Sequence, residues 1–323
     1  MTMTPEQAAW FQGTFSRLID NIDRAVLGKR EVVGLVLSAM LAEGHVLLED
    51  APGTGKTSLA KALAATVQGT SSRIQFTPDL LPSDVTGVTI YDQTSHKFEF
   101  HKGPVFASIV LADEINRASP KTQSSLLEVM EESRVTVDGV THEAGRPFLV
   151  IATQNPIEQA GTYKLPEAQL DRFLIRTSIG YPDLAVAERI LAGASDRNPS
   201  ASLPAIITTG AVADMADLAA TVHVEGAVLR YTAQLSEATR TDAATRLGVS
   251  VRGSLAMIRI AKVWAAAQGR HFVTPDDIKA LAAPVWTHRL VLDPEAEFAG
   301  TTAETVISRV LEDVAAPLAR SAA

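Results

Sequence analysis

The chain has no cysteine, which excludes disulfides, thiolate metal ligands and a cysteine nucleophile, and suits a reducing cytosol. No apolar run approaches the ~20 residues of a membrane-spanning helix. Residues 1–15 (MTMTPEQAAWFQGTF) lack the basic region and apolar core of a secretory signal. Basic residues are in deficit, 29 Lys and Arg against 37 Asp and Glu, and the resulting net charge of −8 comes without an obvious basic stripe. That balance disfavours binding along a nucleic-acid backbone. There is no internal repeat, no low-complexity tract, and no Ser-His-Asp arrangement with a nucleophile elbow. His45, His223, His271 and His288 stand near apolar stretches without metal-ligand spacing and read as core or surface residues. His96 and His101, flanking Phe98-Glu99-Phe100, read equally as loop residues. What remains is an ordinary globular composition on 323 residues, a length that favours one large and one smaller domain.

The most informative stretch is 45–57, HVLLEDAPGTGKT. An apolar run leads into Pro52-Gly53-Thr54-Gly55-Lys56-Thr57, and the helical pattern beginning at Ser58 follows. Strand, glycine loop and helix in that order form the context of a phosphate-binding loop. Glycines let backbone N–H groups turn inward around phosphate oxygens, and the following helix adds its partial positive charge. Lys56 is placed to reach the β- and γ-phosphates, and the Thr57 hydroxyl to hold Mg²⁺. One position departs from the strict pattern, because Asp50 stands where a glycine is usual.

Around this loop the pattern alternates. Helices are expected over 5–26 and 30–42, a short strand over 72–76, and a hairpin-like insertion within 78–104. Residues 105–112 (VFASIVLA) are continuously apolar and predict a strand buried on both faces. Ser119-Pro120 opens a helix. Asp138-Gly139 between two short β-prone runs predicts a hairpin, and 148–152 and 173–179 predict two more strands. Strands alternating with helices to about residue 180 imply a doubly wound α/β sheet. Beyond Tyr181-Pro182 the chain is Ala-, Leu- and Arg-rich, with helices expected over 184–193, 210–222, 225–239, 252–268, 275–283 and 303–315, and a loop over 198–202.

The apolar strand 109–112 ends in Asp113-Glu114. At the carboxyl end of a sheet strand, Asp113 can hold Mg²⁺ through water and Glu114 can accept a proton from an attacking water; a solvated strand end is the alternative. Asn155, after the strand 148–152, can orient that water, or Thr153-Gln154-Asn155-Pro156 is simply a turn. Arg172, before the last strand, can reach into a neighbouring site, or form a local ion pair with Asp171 or Glu167. Arg252 opens a late helix and can close onto the phosphates from the smaller domain, but from the residues alone it reads rather as a solvated arginine in a helix first turn.

Residues 49–57, 111–118, 152–156 and 165–173 together resemble the MoxR family of AAA+ ATPases. The likeness runs almost throughout 76–182 and extends to the helical tail as a lid. By this resemblance the fold is an AAA+ P-loop NTPase core, a doubly wound and mainly parallel sheet with β-hairpin insertions, over 1–182, followed by a smaller all-α lid over 183–323. Lys56 and Thr57 are then Walker A, with Pro52, Gly53, Thr54, Gly55, Ser58, Leu27 and Gly28 as further nucleotide contacts. Asp113 and Glu114 are Walker B, with Thr57 and Asp113 the Mg²⁺ ligands. Asn155 is sensor 1, Arg172 the arginine finger and Arg252 sensor 2. Acidic residues at position 50 occur in the family, whereas Val249 to Ser254 is looser than the usual lid motif Gly-Ala-Ser-Pro-Arg-Ala.

The resemblance implies a cytoplasmic hexameric ring that hydrolyses Mg·ATP at subunit interfaces. The expected role is chaperone-like remodelling or maturation of a client, with a von Willebrand factor A domain partner. Two rival readings share the core: a chelatase-subunit or nucleic-acid-associated motor, and a nucleotide-gated scaffold with little hydrolysis.

Overall fold

Helix α1 (Pro5–Asp23) buries Phe11, Phe15, Leu18 and Ile22, the apolar positions that its 3.6-residue period places on one face. It appears in a computed structural model that describes residues 2–155, 162–193 and 199–317. Pro156 and Asn198, each part of an expected loop or turn, lie outside the described residues. The helix ends three residues earlier than its sequence pattern, where the Asp23 carboxylate accepts from the Gly28 N–H at 3.1 Å and holds a turn. Helix α2 (Arg30–Leu41) is buried from Val33 onward and delivers the chain to strand β1 (Val46–Glu49).

Helix α3 (Lys56–Thr66), strand β2 (Ser71–Gln75) and the single turn α4 (Pro82–Thr86) follow. The insertion is an antiparallel hairpin of β3 (Gly87–Asp92) and β4 (Lys97–Lys102). Gly87 closes its foot with φ 101°, where an added Cβ would lie 2.3 Å from the His101 carbonyl.

The strand expected over 105–112 begins only at Ile109. Pro104, with its fixed φ and missing N–H, starts a 3₁₀ turn over Pro104–Phe106. The ladder starts where Ser71 meets Ile109, so β5 spans Ile109–Asp113. Ser119 caps helix α5 (Pro120–Glu132), accepting from the Thr122 N–H at 3.3 Å. Strands β6 (Arg134–Val137) and β7 (Val140–Glu143) pair across Asp138 and Gly139, both at positive φ as a tight primed turn requires. Strand β8 (Leu149–Gln154), the short helix α6 (Glu167–Leu170) and β9 (Ile175–Thr177) follow.

The sheet order is β2-β5-β8-β1-β9, and β2, β5, β8 and β1 run parallel. β5 is wholly buried and β8 nearly so, as their continuous apolar runs require, while β2 (SSRIQ) is the partly exposed edge. Register places Gln75 beside Asp113, Ala112 beside Ala152, and Leu48 and Glu49 beside Thr153 and Gln154. Every chemistry-bearing strand end of the sequence therefore leaves the sheet at one edge.

Strand β9 is shorter than the apolar run 173–179. Arg289 takes the carbonyls of Phe173 and Leu174, and the Asp50 carboxylate takes the amides of Ile179 and Gly180, so only the middle of the run keeps a ladder.

Helices α7 (Leu184–Ala192), α8 (Thr209–Ala220) and α9 (Gly226–Thr241) come next, then β10 (Thr245–Leu247), α10 (Val251–Ala267) and α11 (Pro275–Trp286). Thr274 and Asp277 form the capping box of α11, which continues through Pro284 beyond its expected end. Strand β11 (Val291–Leu292) pairs antiparallel with β10, a two-strand element that the helical pattern conceals. Helices α12 (Pro294–Phe298) and α13 (Ala303–Asp313) close the described chain.

Two compact units emerge. The sheet unit comprises Arg17–Leu165 and Thr177–Asp214, and the helical unit Met1–Ser16, Pro166–Arg176 and Met215–Ala323.

Candidate active site

β1 feeds residues 50–55 onto the carboxyl edge of the sheet. Gly53 and Gly55 have φ of 84° and 94°, a region that side chains with a Cβ rarely enter. Nothing lies within 4 Å of a Cβ added at either, so backbone direction is what demands glycine and the space beside the loop stays open. α3 starts at Lys56 without a side-chain cap, which turns its first N–H groups and the positive end of its dipole toward the loop. Lys56 Nζ donates to the Ala51 carbonyl at 2.9 Å and the Asp50 carbonyl at 3.3 Å, curling the side chain back over the loop.

Asp50 explains the departure from the strict glycine pattern. Its side chain is 4% exposed and accepts three hydrogen bonds from a segment 128–130 residues further on. The donors are Ser178 Oγ at 2.8 Å and the backbone N–H groups of Ile179 at 2.7 Å and Gly180 at 2.9 Å. The residue therefore anchors the foot of the phosphate loop to the chain that leaves β9.

Asp113 and Glu114 emerge two strands away. Asp113 Oδ1 accepts from Thr153 Oγ1 at 2.7 Å, and Oδ2 accepts from Arg73 Nη2 at 2.6 Å and Nε at 3.2 Å. Thr153, 1% exposed at the end of β8, also accepts from the Glu114 N–H at 2.9 Å. That bond holds Glu114 in the left-handed conformation, φ 56° and ψ 51°, which costs a residue with a Cβ roughly 1–2 kcal/mol. Glu114 Oε2 accepts from Gln75 Nε2 and Arg117 Nη1, each at 3.0 Å. Arg73, Gln75, Thr153 and Arg117 are thus site residues that motif reading passes over. A signal for the first two does exist, since an edge strand reading Ser-Ser-Arg-Ile-Gln puts Arg73 and Gln75 on one face by simple alternation.

Pro52, Gly53, Thr54, Gly55, Lys56, Thr57, Ser58, Asp113, Glu114 and Asn155 line one pocket of about 410 Å³, together with Asp50, Arg73, Gln75, Thr153 and Gln154. Leu27 and Gly28 are not among its lining residues. Gly28, at φ 71°, instead meets α7, where an added Cβ would lie 2.7 Å from Val186 Cγ2.

The profile of the ATPase family associated with various cellular activities (AAA) matches residues 45–175, the span of this pocket, and that of an AAA lid domain matches residues 237–310. The chain is 42% identical over 313 residues to Chaperone MoxR1 of Mycobacterium tuberculosis, covering 94% of this chain and 82% of the relative. The chain belongs to the MoxR family of AAA ATPases. It is also 46% identical over 306 residues to the uncharacterized protein YeaC of Bacillus subtilis, covering 95% and 96% of the two. A solved structure from Cytophaga hutchinsonii, described as a "putative ATPase", superposes with a TM-score of 0.90 at 36% identity, covering 97% of this chain and 98% of that one. Family membership makes this chaperone-like protein an ATPase, and so a nucleotide-binding protein. Among the described residues no helix is long and apolar enough to cross a membrane.

The other two predicted site residues lie in the helical unit. Arg172 sits half-buried between α6 and β9, and Arg252 is exposed in the first turn of α10. The same unit holds His288, fully buried 3.1 Å from the Phe173 carbonyl and 2.8 Å from Arg289 Nη1. Burial, and then the Arg289 charge, push its pKa well below the ordinary histidine range, so the folded ring stays neutral. His45 is likewise a core histidine, with Nδ1 accepting from the Val150 N–H at 3.0 Å and Nε2 2.9 Å from the Met130 carbonyl.

The sign of the His288 effect follows from linkage. Below about pH 6.5 the unfolded chain takes up a proton at His288 that the folded chain refuses, so this residue destabilises the fold as pH falls, by at most about 1.4 kcal/mol per pH unit. Thermal melts between pH 7.5 and 5.5 are expected to show that slope in the wild type and a shallower one in His288→Gln.

Proposed function

We propose that ATP is hydrolysed at interfaces between copies of this chain in a hexameric ring, and that turnover drives remodelling or maturation of a client protein alongside a von Willebrand factor A domain partner. One observation carries the reading. The pocket gathers a phosphate loop, the carboxylates of Asp50, Asp113 and Glu114 and the amides of Gln75, Gln154 and Asn155, yet among the described residues its lining cations are Lys56 and Arg73, and Arg73 is committed to Asp113. Charge that develops on the transferring phosphoryl group calls for a further cation, and Arg172 of a neighbouring copy is the candidate. The cysteine-free composition suits a cytoplasmic setting. Nucleotide chemistry is assigned to residues 1–182 and the lid to 183–323.

Within the pocket the loop amides and Lys56 would hold the phosphates. Thr57 and Asp113 both line the pocket and offer hard oxygen donors, which suits Mg²⁺. When bound, the ion would neutralise phosphate charge. Glu114 would accept a proton from the water whose oxygen bonds to the γ-phosphorus as the bond to the β-phosphate oxygen breaks, releasing ADP and phosphate. Asn155 would orient that water.

The test is complementation. Arg172→Ala and Lys56→Ala are each expected to lose turnover alone, and mixing them is expected to restore part of it, because interfaces form that combine an intact loop with an intact arginine. Failure of the mixture to hydrolyse ATP would rule out an arginine acting across copies.

A further inference from the structure

Arg172 and Arg252 belong to the same compact unit, and a single carboxylate links the segments that carry them. Asp171, the residue before Arg172, accepts from Arg289 Nε at 2.7 Å through Oδ1 and from Ser250 Oγ at 3.0 Å through Oδ2. Ser250 is also the N-cap of α10, accepting from the Gly253 N–H at 3.0 Å, so one hydroxyl serves both Asp171 and the helix that presents Arg252.

The Arg289 side chain is 2% exposed and commits most of its remaining donors to the same segment. Nη2 donates to the Phe173 carbonyl at 2.6 Å and the Asp171 carbonyl at 3.2 Å, and Nη1 to the Leu174 carbonyl at 3.2 Å and to the Val285 carbonyl. α10 admits this arginine at Gly253, where an added Cβ would stand 2.8 Å from Arg289 Cδ. A planar guanidinium with fixed donor directions leaves the chain over 171–174 little freedom. Partial rupture would strand a buried charge, so the arrangement is either made or broken, with nothing favourable between.

We infer that Asp171 is a positioning residue that makes Arg172 and the start of α10 move as one body, so that a nucleotide-dependent shift at Arg252 is delivered to Arg172. A copy's own nucleotide state thereby sets the arginine it offers to the next copy. The inference rests on the proposed role of Arg172 as the finger and on the sensor 2 role that the family resemblance implies for Arg252 in the lid.

Ser250→Gly removes the shared hydroxyl, while glycine remains an acceptable N-cap. Displacing Arg172 by a fraction of its contact distance is expected to lower kcat about tenfold, with KM for ATP within about twofold of wild type. Ser250→Thr, which keeps the hydroxyl, is expected to restore kcat. Mixing Ser250→Gly with Lys56→Ala copies is expected to restore turnover as well, because the Lys56→Ala copies supply a correctly held arginine to intact loops; a merely misfolded unit gives no such rescue. Should Ser250→Gly fail to fold, Arg289→Lys, which keeps the charge but loses the fork, is read in the same way.

The inference is overturned if Arg172→Ala abolishes turnover while Ser250→Gly and Arg289→Lys leave kcat and ATP cooperativity unchanged. It is also overturned if the Lys56→Ala mixture gives no rescue, since the defect then lies in the copy's own site. If Arg172→Ala itself leaves turnover unchanged, the finger assignment is what fails, and the coupling falls with it.

Discussion

Glu114→Gln is expected to bind ATP as tightly as the wild type and to hydrolyse it about 10²–10⁴-fold more slowly, the range that a positioned general base supplies. The substitution is close to isosteric. The backbone of Glu114 is held by Thr153 Oγ1 and by its left-handed conformation, neither of which depends on the carboxylate. The Oε2 contacts from Gln75 and Arg117 can be kept by the amide oxygen, so the side chain should stay in place. What disappears is the ability to take a proton. Single-turnover phosphate release, measured beside equilibrium binding of a fluorescent nucleotide, separates the two properties, and unchanged turnover would remove Glu114 from the base role.

Placing the glycine of the strict loop pattern at position 50 is expected to damage the protein. Asp50→Gly strips the acceptor from Ser178 Oγ and from the N–H groups of Ile179 and Gly180. Each buried donor left unsatisfied costs about 1–3 kcal/mol, so a total of roughly 3–5 kcal/mol is expected even if water recovers part of the loss. For a chain of this size that corresponds to a fall in melting temperature on the order of 10 °C. The affinity for ATP should fall as well, because the foot of the phosphate loop loses its tether. Asp50→Asn retains a carboxamide oxygen as acceptor but places an NH₂ among donors, and should fall between the two. Calorimetry of the three proteins with and without ATP checks the order; a glycine variant as stable as the wild type would remove Asp50 as an anchor.

These two residues also mark how far the sequence could be read. Glu114 was legible because an apolar run ending in Asp-Glu has one natural place in a parallel sheet. The glycine loop, the Asp138-Gly139 hairpin and the capping box at Thr274 were legible for the same reason: each is a local pattern with a local cause. Asp50 was visible only as an irregularity. Its partners lie 128–130 residues away, and nothing within the loop says which amides a carboxylate will find. Arg73 was missed because a single arginine in a short edge strand carries no motif, although it holds the carboxylate of Asp113 at 2.6 Å. The strand limits at 105–108 and 173–179 failed on the same ground. Hydropathy reports burial, whereas a ladder requires free backbone groups, and Pro104, Arg289 and Asp50 had removed them.

The two hairpins of the sheet unit carry a consequence of a different kind. Phe100 of β4 stacks on His142 of β7, with centroids 4.2 Å apart and planes at 23°, and Phe106 packs edge-on against both rings. Two excursions more than thirty residues apart in the chain are therefore stitched into one platform. A change in the length or tilt of one removes the ring on which the other leans. A chimera that borrows these hairpins from a relative must transplant both together with Phe106, since either alone would arrive with half of its support left behind.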